Sequence, residues 1–300
     1  MDENITRCGV AAIIGRPNSG KSTLLNSILD TKLSIVTPKP QTTRKKVLGI
    51  YTSENSQIIF LDTPGILKPK YKMHEAMMDF VYESIGDADV VCAMLDASKY
   101  ANPESSFSAE FLDILRSTGK PAIVIINKID LLQDVKGILP MISDFVKTGA
   151  FKEYIGISAT KKTNVEQLLS IIAALLPESS FLYDEDYLSS LPERFFVSEI
   201  IRETIFFKLR EEIPYSTEVL ITEFRERGKG KWYISAEIVV EKDSQKRITI
   251  GAKGDMLRSI GESARKQIEN YLEREVFLEL FVKVRNNWRN NENMLRRFGY

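Results

Sequence analysis

The chain has 300 residues, of which 43% are hydrophobic, and its 41 lysines and arginines balance 41 aspartates and glutamates. These values predict a folded protein with two domains and exclude a largely disordered chain. Two cysteines and a single histidine exclude a disulfide scaffold and a cysteine or histidine metal cluster, and they argue against Ser-His-Asp catalysis. No apolar run reaches the roughly 18 residues of a membrane span, and no signal sequence is recognisable, so we expect a cytoplasmic protein.

Charge is distributed unevenly along this neutral chain. Residues 194–300 carry a net charge of +4, and residues 1–193 carry −4. A polyanion is therefore a reasonable partner for the C-terminal part. A solvated basic face explains the same asymmetry equally well, so charge alone does not decide the partner.

Residues 8–177 alternate short apolar runs with helical patterns, which predicts an α/β domain with a doubly wound, mostly parallel sheet. The predicted strands are Val10–Ile14, Val47–Tyr51, Ile58–Leu61, Val90–Leu95, Ala122–Ile126 and Tyr154–Ile157. The predicted helices are Lys21–Leu29, Met73–Ile85, Glu104–Arg116, Gly137–Lys147 and Val165–Leu176.

The pattern changes after an acidic stretch, residues 178–193, that we interpret as a linker. Residues 194–285 predict a smaller α+β domain, and residues 286–300 form a polar tail. In chain order we expect a helix at Val197–Arg210, strands at Thr217–Arg225 and Trp232–Val240 joined through Gly228-Lys229-Gly230, a strand at Arg247–Ile250, a helix at Asp255–Arg274 and a strand at Val276–Val284.

A phosphate-binding loop is the strongest chemical signal. Residues 15–22 fit GxxxxGK[ST], directly after an apolar strand and directly before a helix, which is the context that the motif requires. Backbone N–H groups of such a loop surround phosphate oxygens, and the helix N-terminus adds its positive end. We expect Lys21 to reach the β- and γ-phosphates and Ser22 to bind Mg²⁺. The predicted contacts are Gly15, Arg16, Pro17, Asn18, Ser19, Gly20, Lys21, Ser22 and Thr23.

A second motif, Asp62-Thr63-Pro64-Gly65, follows a predicted strand and precedes Ile66. An acid at the end of an apolar strand can hold the metal through water. Gly65 can offer its N–H group to a γ-phosphate because no side chain stands in the way. We therefore interpret residues 62–66 as a nucleotide sensor.

A third motif, Asn127-Lys128-Ile129-Asp130, follows the predicted strand Ala122–Ile126 and bears on which base is bound. The Asp130 carboxylate can accept hydrogen bonds from the N1–H and 2-amino groups of guanine, which adenine lacks. Asn127 would brace the loop, and the aliphatic part of Lys128 would cover the base. Backbone N–H groups of the segment Ser158, Ala159 and Thr160 would reach the guanine oxygen. These motifs together favour GTP over ATP.

In this order, and followed by a GxxG segment, the motifs GRPNSGKS, QTTR, DTPG, NKID and SAT resemble those of the bacterial Era GTPases, a branch of the translation-factor-related P-loop GTPases. The resemblance covers nearly the whole chain and implies a type II KH domain after the GTPase domain. It identifies Gln41, Thr42, Thr43, Arg44 and Lys45 as the first switch. Either Thr42 or Thr43 would close on Mg²⁺, and we favour Thr43. The metal set is then Ser22, Thr43 and Asp62.

The resemblance also constrains hydrolysis. Ras-type enzymes orient the attacking water with a glutamine directly after the Asp-x-x-Gly glycine, and here that residue is Ile66. In several related GTPases an asparagine of the phosphate loop binds K⁺ instead, and Asn18 matches it. We therefore expect slow hydrolysis stimulated by K⁺, with Lys21, Asn18, Thr43 and Gly65 as the catalytic set. Alternatively, Asn18 only supports the loop.

The GxxG segment Gly251-Ala252-Lys253-Gly254 predicts RNA binding, because KH domains use this loop to hold about four nucleotides of single-stranded RNA. Lys253 would screen phosphate charge, and Arg247, Arg258 and Arg265 would extend the contact. The resemblance implies that the RNA is the 3′ end region of small-subunit ribosomal RNA and that the role lies in small-subunit assembly. It also implies a monomer with peripheral contact to the inner membrane.

Two classes of function remain open at this level. One is a GTP-hydrolysing switch that alters RNA binding. The other is an RNA chaperone for which GTP is mainly a sensory ligand, or a related GTPase that acts on another RNA. Six other residues have simpler interpretations: His74 as a solvated residue, Trp232 as core, Met73, Met77 and Met78 as one face of a helix, and Trp288 as either an RNA-stacking or a packing residue.

Overall fold

The computed structural model describes residues 6–226, 228 and 230–300. The chain forms two compact units. The first holds the residues up to Ser34 together with Thr43–Lys68 and Met77–Ser190, and the second holds Ile35–Thr42, Pro69–Ala76 and Leu191–Tyr300. Two short segments of the N-terminal half therefore pack with the C-terminal residues.

A six-stranded sheet with the order β2-β3-β1-β4-β5-β6 forms the centre of the first unit. Its strands are β1 (Arg7–Gly15), β2 (Val47–Thr52), β3 (Ser56–Asp62), β4 (Val90–Asp96), β5 (Ala122–Asn127) and β6 (Glu153–Gly156). Strand β2 is antiparallel to β3, and every other pair is parallel. The central strands are buried along almost their whole length, as expected where helices cover both faces of a sheet. The predicted α/β fold is confirmed.

The helices of this half of the chain follow the predicted order. They are α1 (Lys21–Leu29), α2 (Lys72–Asp87), α3 (Pro103–Ser106), α4 (Ala109–Thr118), α5 (Ile138–Val146) and α6 (Val165–Leu175). The single helix predicted at Glu104–Arg116 is wrong, because the structure has α3 and α4 there. Phe107 lies between them in an extended conformation and is buried, and the Ser108 hydroxyl starts α4 by accepting the Phe111 N–H.

The acidic stretch after α6 packs on the sheet of the first unit. The Gln57 side chain accepts the N–H groups of Leu182 and Tyr183 and donates to the Tyr183 carbonyl. Farther along, the Ile50 N–H donates to the Leu188 carbonyl, beside the outer strand β2. These residues therefore belong to the first unit as far as Ser190.

A three-stranded sheet with the order β7-β8-β9 lies in the second unit. Its elements are α7 (Glu193–Lys208), β7 (Glu218–Arg225), β8 (Trp232–Val240), α8 (Asp243–Ile250), α9 (Asp255–Leu272), β9 (Val276–Val284) and α10 (Glu292–Phe298). Strands β7 and β8 are antiparallel, as predicted for a hairpin, whereas β8 and β9 are parallel. Lys229 of the predicted turn lies outside the described residues. Alternate residues of the sheet, such as Ile234 and Val282, form a core with α7 and α9.

The strand predicted at Arg247–Ile250 is wrong, because these residues end helix α8. The Gln245 side chain accepts the N–H groups of Glu241 and Lys242 and so fixes the first turn of the helix. The Thr249 hydroxyl donates to the Gln245 carbonyl and is fully buried. Helix capping and burial therefore outweigh the β propensity of the local sequence.

Two residues with simple interpretations turn out to be buried. Trp288 is fully buried, donates its indole N–H to the Ser216 carbonyl at 3.0 Å and packs edge-on against Phe298, so it is a packing residue. His74 is only 3% exposed, so the prediction of a solvated residue is wrong. The centre of its ring lies 3.8 Å from that of Tyr71, with the two rings tilted by 31°, and His74 hydrogen-bonds to Gln41.

Other core predictions are confirmed. Met73, Met77 and Met78 are buried on one face of α2. Trp232 is half-buried and packs against the core of the second unit, in contact with Phe224. Among the described residues, no helix is both long enough and apolar enough to span a bilayer.

Candidate nucleotide-binding and RNA-binding sites

The phosphate loop connects the end of β1 at Gly15 to the start of α1 at Lys21. Asn18 and Gly20 have positive φ angles of 64° and 106°, which turn the backbone sharply. A Cβ atom at Gly20 would lie 2.2 Å from Asn127 Nδ2, so only glycine fits there. The loop has the geometry in which successive N–H groups surround an anion.

Lys21 is buried against this loop and donates to the carbonyls of Gly15 and Arg16, each at 3.1 Å. Burial lowers the pKa of Lys21 to about 8, although the nearby Asp62 carboxylate opposes that shift. A lysine held in this way is a desolvated cation, and it would gain a strong partner from a phosphate group.

Three oxygen atoms converge beside the loop. The Ser22 hydroxyl lies 2.8 Å from the Thr43 hydroxyl and donates to Asp62 Oδ2 at 2.6 Å. Asp62 is fully buried, and within the described part of the chain its Oδ1 atom has no hydrogen-bond partner. Burial raises the pKa of Asp62, against the opposing effects of Lys21 and Ser22. A buried carboxylate and two hydroxyl groups are ligands that Mg²⁺ accepts, so this set fits the predicted metal.

The residues predicted as the first switch divide between different contacts. Thr43 lies at Ser22, whereas the Thr42 hydroxyl bonds to that of Thr37 at 2.7 Å. Gln41 has a φ of +61°, and its Oε1 atom lies 3.1 Å from His74 Nε2. Of the two threonines considered as metal ligands, Thr43 alone lies beside Ser22. Arg44 is buried and Lys45 is half-buried.

The sensor motif lies directly against the phosphate loop. A Cβ atom at Gly65 would lie 2.6 Å from the Pro17 ring and backbone, and the Ile66 N–H donates to the Gly15 carbonyl. The Thr63 hydroxyl donates to the Ile13 carbonyl and is buried, which makes Thr63 a bracing residue. Ile66 packs against the core of the unit. Pro64 lies between these residues and is buried.

The base motif braces the phosphate loop from the neighbouring strand. Asn127 donates to the Ser19 carbonyl at 2.8 Å and accepts the Ala159 N–H at 3.0 Å. Lys128 donates to the Asn18 carbonyl at 2.9 Å. Asp130 is exposed in the short 3₁₀ turn Ile129–Leu131, where a base can reach it.

The SAT segment lies beside this motif. Ser158 and Ala159 are buried, while Thr160 is exposed. The Ser158 hydroxyl accepts the Lys161 N–H and so closes the turn. The structure therefore brings the residues of all three predicted motifs together at the carboxyl edge of the parallel strands, where ligands of open α/β sheets bind.

Two residues have contacts that the motifs did not indicate. Asp96 accepts a hydrogen bond from the Lys128 ammonium group at 2.6 Å. The sequence feature that could have indicated this contact is the position of Asp96 at the end of β4. Burial raises the pKa of Asp96, but hydrogen bonds from Lys128 and Ser98 outweigh this effect and lower it. The side chain of Arg16, a predicted nucleotide contact, donates to the carbonyls of Ser106 and Glu104.

The GxxG segment lies between α8 and α9. Gly251, Lys253 and Gly254 all have positive φ angles, of 76°, 52° and 86°. A Cβ atom at Gly251 would lie 2.7 Å from Met256 Cβ, so this glycine is required by packing. Lys253 is exposed.

A groove of about 410 Å³ follows the segment between α9 and β9, and Leu257, Leu278 and Leu280 contribute its apolar part. Arg258 and Arg265 line the same groove, although each also forms an ion pair on its own helix, with Asp255 and Glu269. Arg247 lies on α8, before the segment. The structure thus combines an apolar groove, a bare loop and arginines, which suits single-stranded RNA.

Comparison with known proteins agrees with both sites. The family described as 50S ribosome-binding GTPase matches residues 10–128, and the KH domain family matches residues 212–289. GTPase Era of a Geobacter species is 44% identical over 100% of both chains, and that of Caldanaerobacter subterraneus is 43% identical over 98% of both.

Two solved structures cover 98% of this chain and 99% of their own, each with a TM-score of 0.93. One, at 41% identity, is Era in complex with MgGDPNP and nucleotides 1506–1542 of 16S ribosomal RNA. The other, at 40% identity, is an Aquifex aeolicus Era variant bound to GDP·AlF4⁻. With this identity over its full length, the chain belongs to the Era GTPase family.

Proposed function

We propose that this protein is a GTP-hydrolysing switch that binds the 3′ end region of small-subunit ribosomal RNA and assists assembly of the small ribosomal subunit. The observation that carries the nucleotide part is the convergence of Ser22, Thr43 and Asp62 beside the buried Lys21. The RNA part is supported by the GxxG groove and by the relative in complex with 16S ribosomal RNA.

Each part of the nucleotide site has a distinct task in this proposal. The loop N–H groups bind phosphate oxygens, and Lys21 exchanges its loop carbonyls for the β- and γ-phosphates. Ser22, Thr43 and Asp62 would hold Mg²⁺, which neutralises charge that develops on the phosphates. Asp130 selects guanine, and Gly65 offers its N–H group at the γ-phosphate.

The position of Ile66 bears on the rate of hydrolysis. Because its side chain is apolar and packs against the core, it cannot orient an attacking water molecule. In our proposal hydrolysis is slow and depends on K⁺ bound near Asn18. The positive φ of Asn18 and the hydrogen bond from Lys128 to its carbonyl hold this residue at the surface of the phosphate loop.

The K⁺ proposal is tested by measuring single-turnover GTP hydrolysis in KCl and in NaCl. We expect wild-type protein to be faster in KCl and Asn18→Asp and Asn18→Ala to lose that preference. An unchanged K⁺ response in both variants, with GTP affinity retained, would show that Asn18 only supports the loop.

The switch proposal is tested by measuring affinity for an RNA of the 16S 3′ end with GDP and with a non-hydrolysable GTP analogue. A ligand alters RNA binding only if the two states differ in free energy of interaction with the RNA. We expect the two affinities to differ. Equal affinities would favour the alternative, an RNA chaperone for which the nucleotide is a sensory ligand.

Three expectations complete the proposal: a cytoplasmic location, a monomer and peripheral contact with the inner membrane. Sedimentation of the purified chain with and without vesicles of inner-membrane lipids tests the last two. A dimer in solution would contradict the second expectation, and the absence of vesicle binding the third.

A further inference from the structure

The three-stranded sheet of the second unit has one face packed on α7 and α9, and its opposite face is exposed around Phe277 and Phe281. The inner-facing residues of β8 and β9, among them Ile234, Ile238 and Val282, belong to the core formed with α7 and α9. Because side chains alternate along a strand, Tyr233, Phe277 and Phe281 point to the opposite face. We call this the outer sheet face.

Large aromatic side chains are unusually exposed on the outer sheet face. Phe277 is 55% exposed and Phe281 is 44% exposed. Tyr233 pairs with Phe277 in the β8–β9 register, and the two rings stack nearly parallel, with centroids 6.0 Å apart. Contiguous exposed apolar patches on a folded protein often mark interaction sites.

Carboxylates alternate with these rings. Glu279 lies between Phe277 and Phe281 on the same face of β9, and Glu237 is the register partner of Phe281. Glu279 accepts the Tyr233 hydroxyl at 2.7 Å. On β7, Glu223 pairs with Ser235, which in turn pairs with Glu279. Glu223 and Glu279 therefore lie in one row across the outer sheet face. The neighbouring rows carry the rings of Tyr233 and Phe277 on one side and of Phe281 on the other.

An arginine of the chain itself already shows which group this surface accepts. The Arg225 guanidinium lies 5.8 Å from the centre of the Tyr233 ring and forms an ion pair with Glu223. Guanidinium groups combine stacking on aromatic faces with hydrogen bonds to carboxylates, whereas lysine ammonium groups stack less well. The same combination of ring and carboxylate occurs at Phe277, Glu279 and Phe281, where both rings are exposed and Glu279 is half-buried.

We propose that the outer sheet face binds an arginine-rich segment of a partner protein. Arginine side chains of that segment would stack on Phe277 and Phe281 while Glu237 and Glu279 neutralise their charge. Glu223, Glu237 and Glu279 outnumber Arg225 and Lys283, the cations that the three strands carry on the same face, and this negative balance disfavours the phosphates of a nucleic acid. The GxxG groove, which Glu279 also lines, differs in charge because Lys253, Arg258 and Arg265 lie there.

Fluorescence anisotropy of a labelled peptide of alternating glycine and arginine, titrated with the full chain, tests the proposal. We expect Phe277→Ala/Phe281→Ala to weaken binding about tenfold, the effect of losing two cation–π contacts. We expect Glu237→Gln/Glu279→Gln to weaken it several-fold, and the matching glycine–lysine peptide to bind several-fold more weakly than the arginine peptide. Because these side chains are exposed or half-buried, GTP affinity should remain unchanged and serves as the folding check.

Phe207→Ala is the matched control, because Phe207 is 59% exposed on α7 of the same unit and should not affect peptide binding. No binding of the arginine peptide by the wild-type chain would overturn the proposal. So would loss of oligouridine binding in the Phe277→Ala/Phe281→Ala variant with peptide binding intact, since the face would then be a base-stacking surface. Loss of a wild-type dimer in that variant would overturn it as well, in favour of a second copy as the occupant.

Discussion

The two glycine loops of this protein use the same backbone chemistry in opposite environments. Residues 15–22 form a loop at the carboxyl edge of a parallel sheet, and its Lys21 is only 6% exposed. Residues 251–254 form a loop between two helices, and its Lys253 is exposed. Because charge interactions strengthen as water is excluded, the first lysine should govern affinity and the second should only adjust it.

The two loops also differ in their support. Asn127 and Lys128 hold the first loop through the carbonyls of Ser19 and Asn18, across more than one hundred residues of sequence. The second loop is held by local contacts: the Gly251 N–H donates to the Arg247 carbonyl, the Gly254 N–H donates to the Gly251 carbonyl, and Gly251 packs on Met256. A preorganised loop can discriminate between ligands, whereas an open loop binds a general feature such as a sugar-phosphate chain.

Removal of the buried lysine is the most severe way to test this comparison. We expect Lys21→Ala to lower GTP affinity by about a few hundredfold, because truncating one partner of a buried charge pair leaves the other charge uncompensated. Calorimetric titration with GTP measures the effect. Lys152→Ala, which removes an exposed lysine, is the control and should bind as wild type. A loss below about tenfold would mean that the loop amides alone dominate binding.

Replacement of the Asp130 carboxylate, which we propose selects the base, should have the next largest effect. We expect Asp130→Asn to lower GTP affinity by about fiftyfold. The loss should be smaller than for a buried carboxylate, because Asp130 is exposed. The same variant should gain affinity for xanthosine triphosphate, whose 2-oxo group accepts a hydrogen bond from the new amide. Parallel titrations with both nucleotides measure the exchange. If the variant kept its preference for guanine, base selection would lie elsewhere.

A pH series sharpens the comparison without any mutation. Burial lowers the pKa of Lys21 to about 8, and bound phosphates should favour the charged form. Nucleotide binding should therefore take up a proton, and GTP affinity should fall by up to about tenfold per pH unit as pH rises above 8. The lowered pKa has the opposite consequence for the stability of the protein without nucleotide. Its free energy of unfolding should rise with pH from pH 8 to the ordinary lysine range, because in that interval the unfolded chain still binds the proton that the folded chain has lost.

Calorimetry in two buffers of different ionisation enthalpy measures this proton uptake directly. Equal apparent enthalpies at pH 8 would show that Lys21 keeps its proton in both states.

Charge reversal at the exposed lysine should give the smallest effect. We expect Lys253→Glu to weaken binding of the 16S 3′ end RNA by about five- to tenfold, and to lower the slope of log affinity against log salt by about one or two. GTP affinity should not change. Filter binding at several salt concentrations tests the RNA part, and simultaneous loss of GTP binding would indicate misfolding.

Sequence patterns were most informative where contacts are local. The phosphate loop begins and ends where its motif predicts, because strand, turn and helix are all fixed by neighbouring residues. Which of Thr42 and Thr43 faces the metal is not predicted by local sequence, because nothing local distinguishes two adjacent threonines. The preference for Thr43 rested on the resemblance to a family.

Contacts between distant residues were not accessible in this way. Ile248, Thr249 and Ile250 predict a strand by propensity, yet Gln245 and burial of Thr249 place them in a helix. His74 appeared polar and solvated, but Gln41, more than thirty residues earlier, covers one side of it. Nothing in the sequence identifies the partner of Trp288, because the Ser216 carbonyl is a backbone group.

The bracing of the phosphate loop by the base motif has a thermodynamic consequence. Lys128 connects the Asn18 carbonyl to Asp96, so the segment that we propose holds the purine also contacts the loop that we propose holds the triphosphate. Guanosine and tripolyphosphate, offered as separate fragments, should therefore assist each other's binding. That cooperativity would disappear in Lys128→Met, which retains the aliphatic cover for the base but lacks the ammonium group.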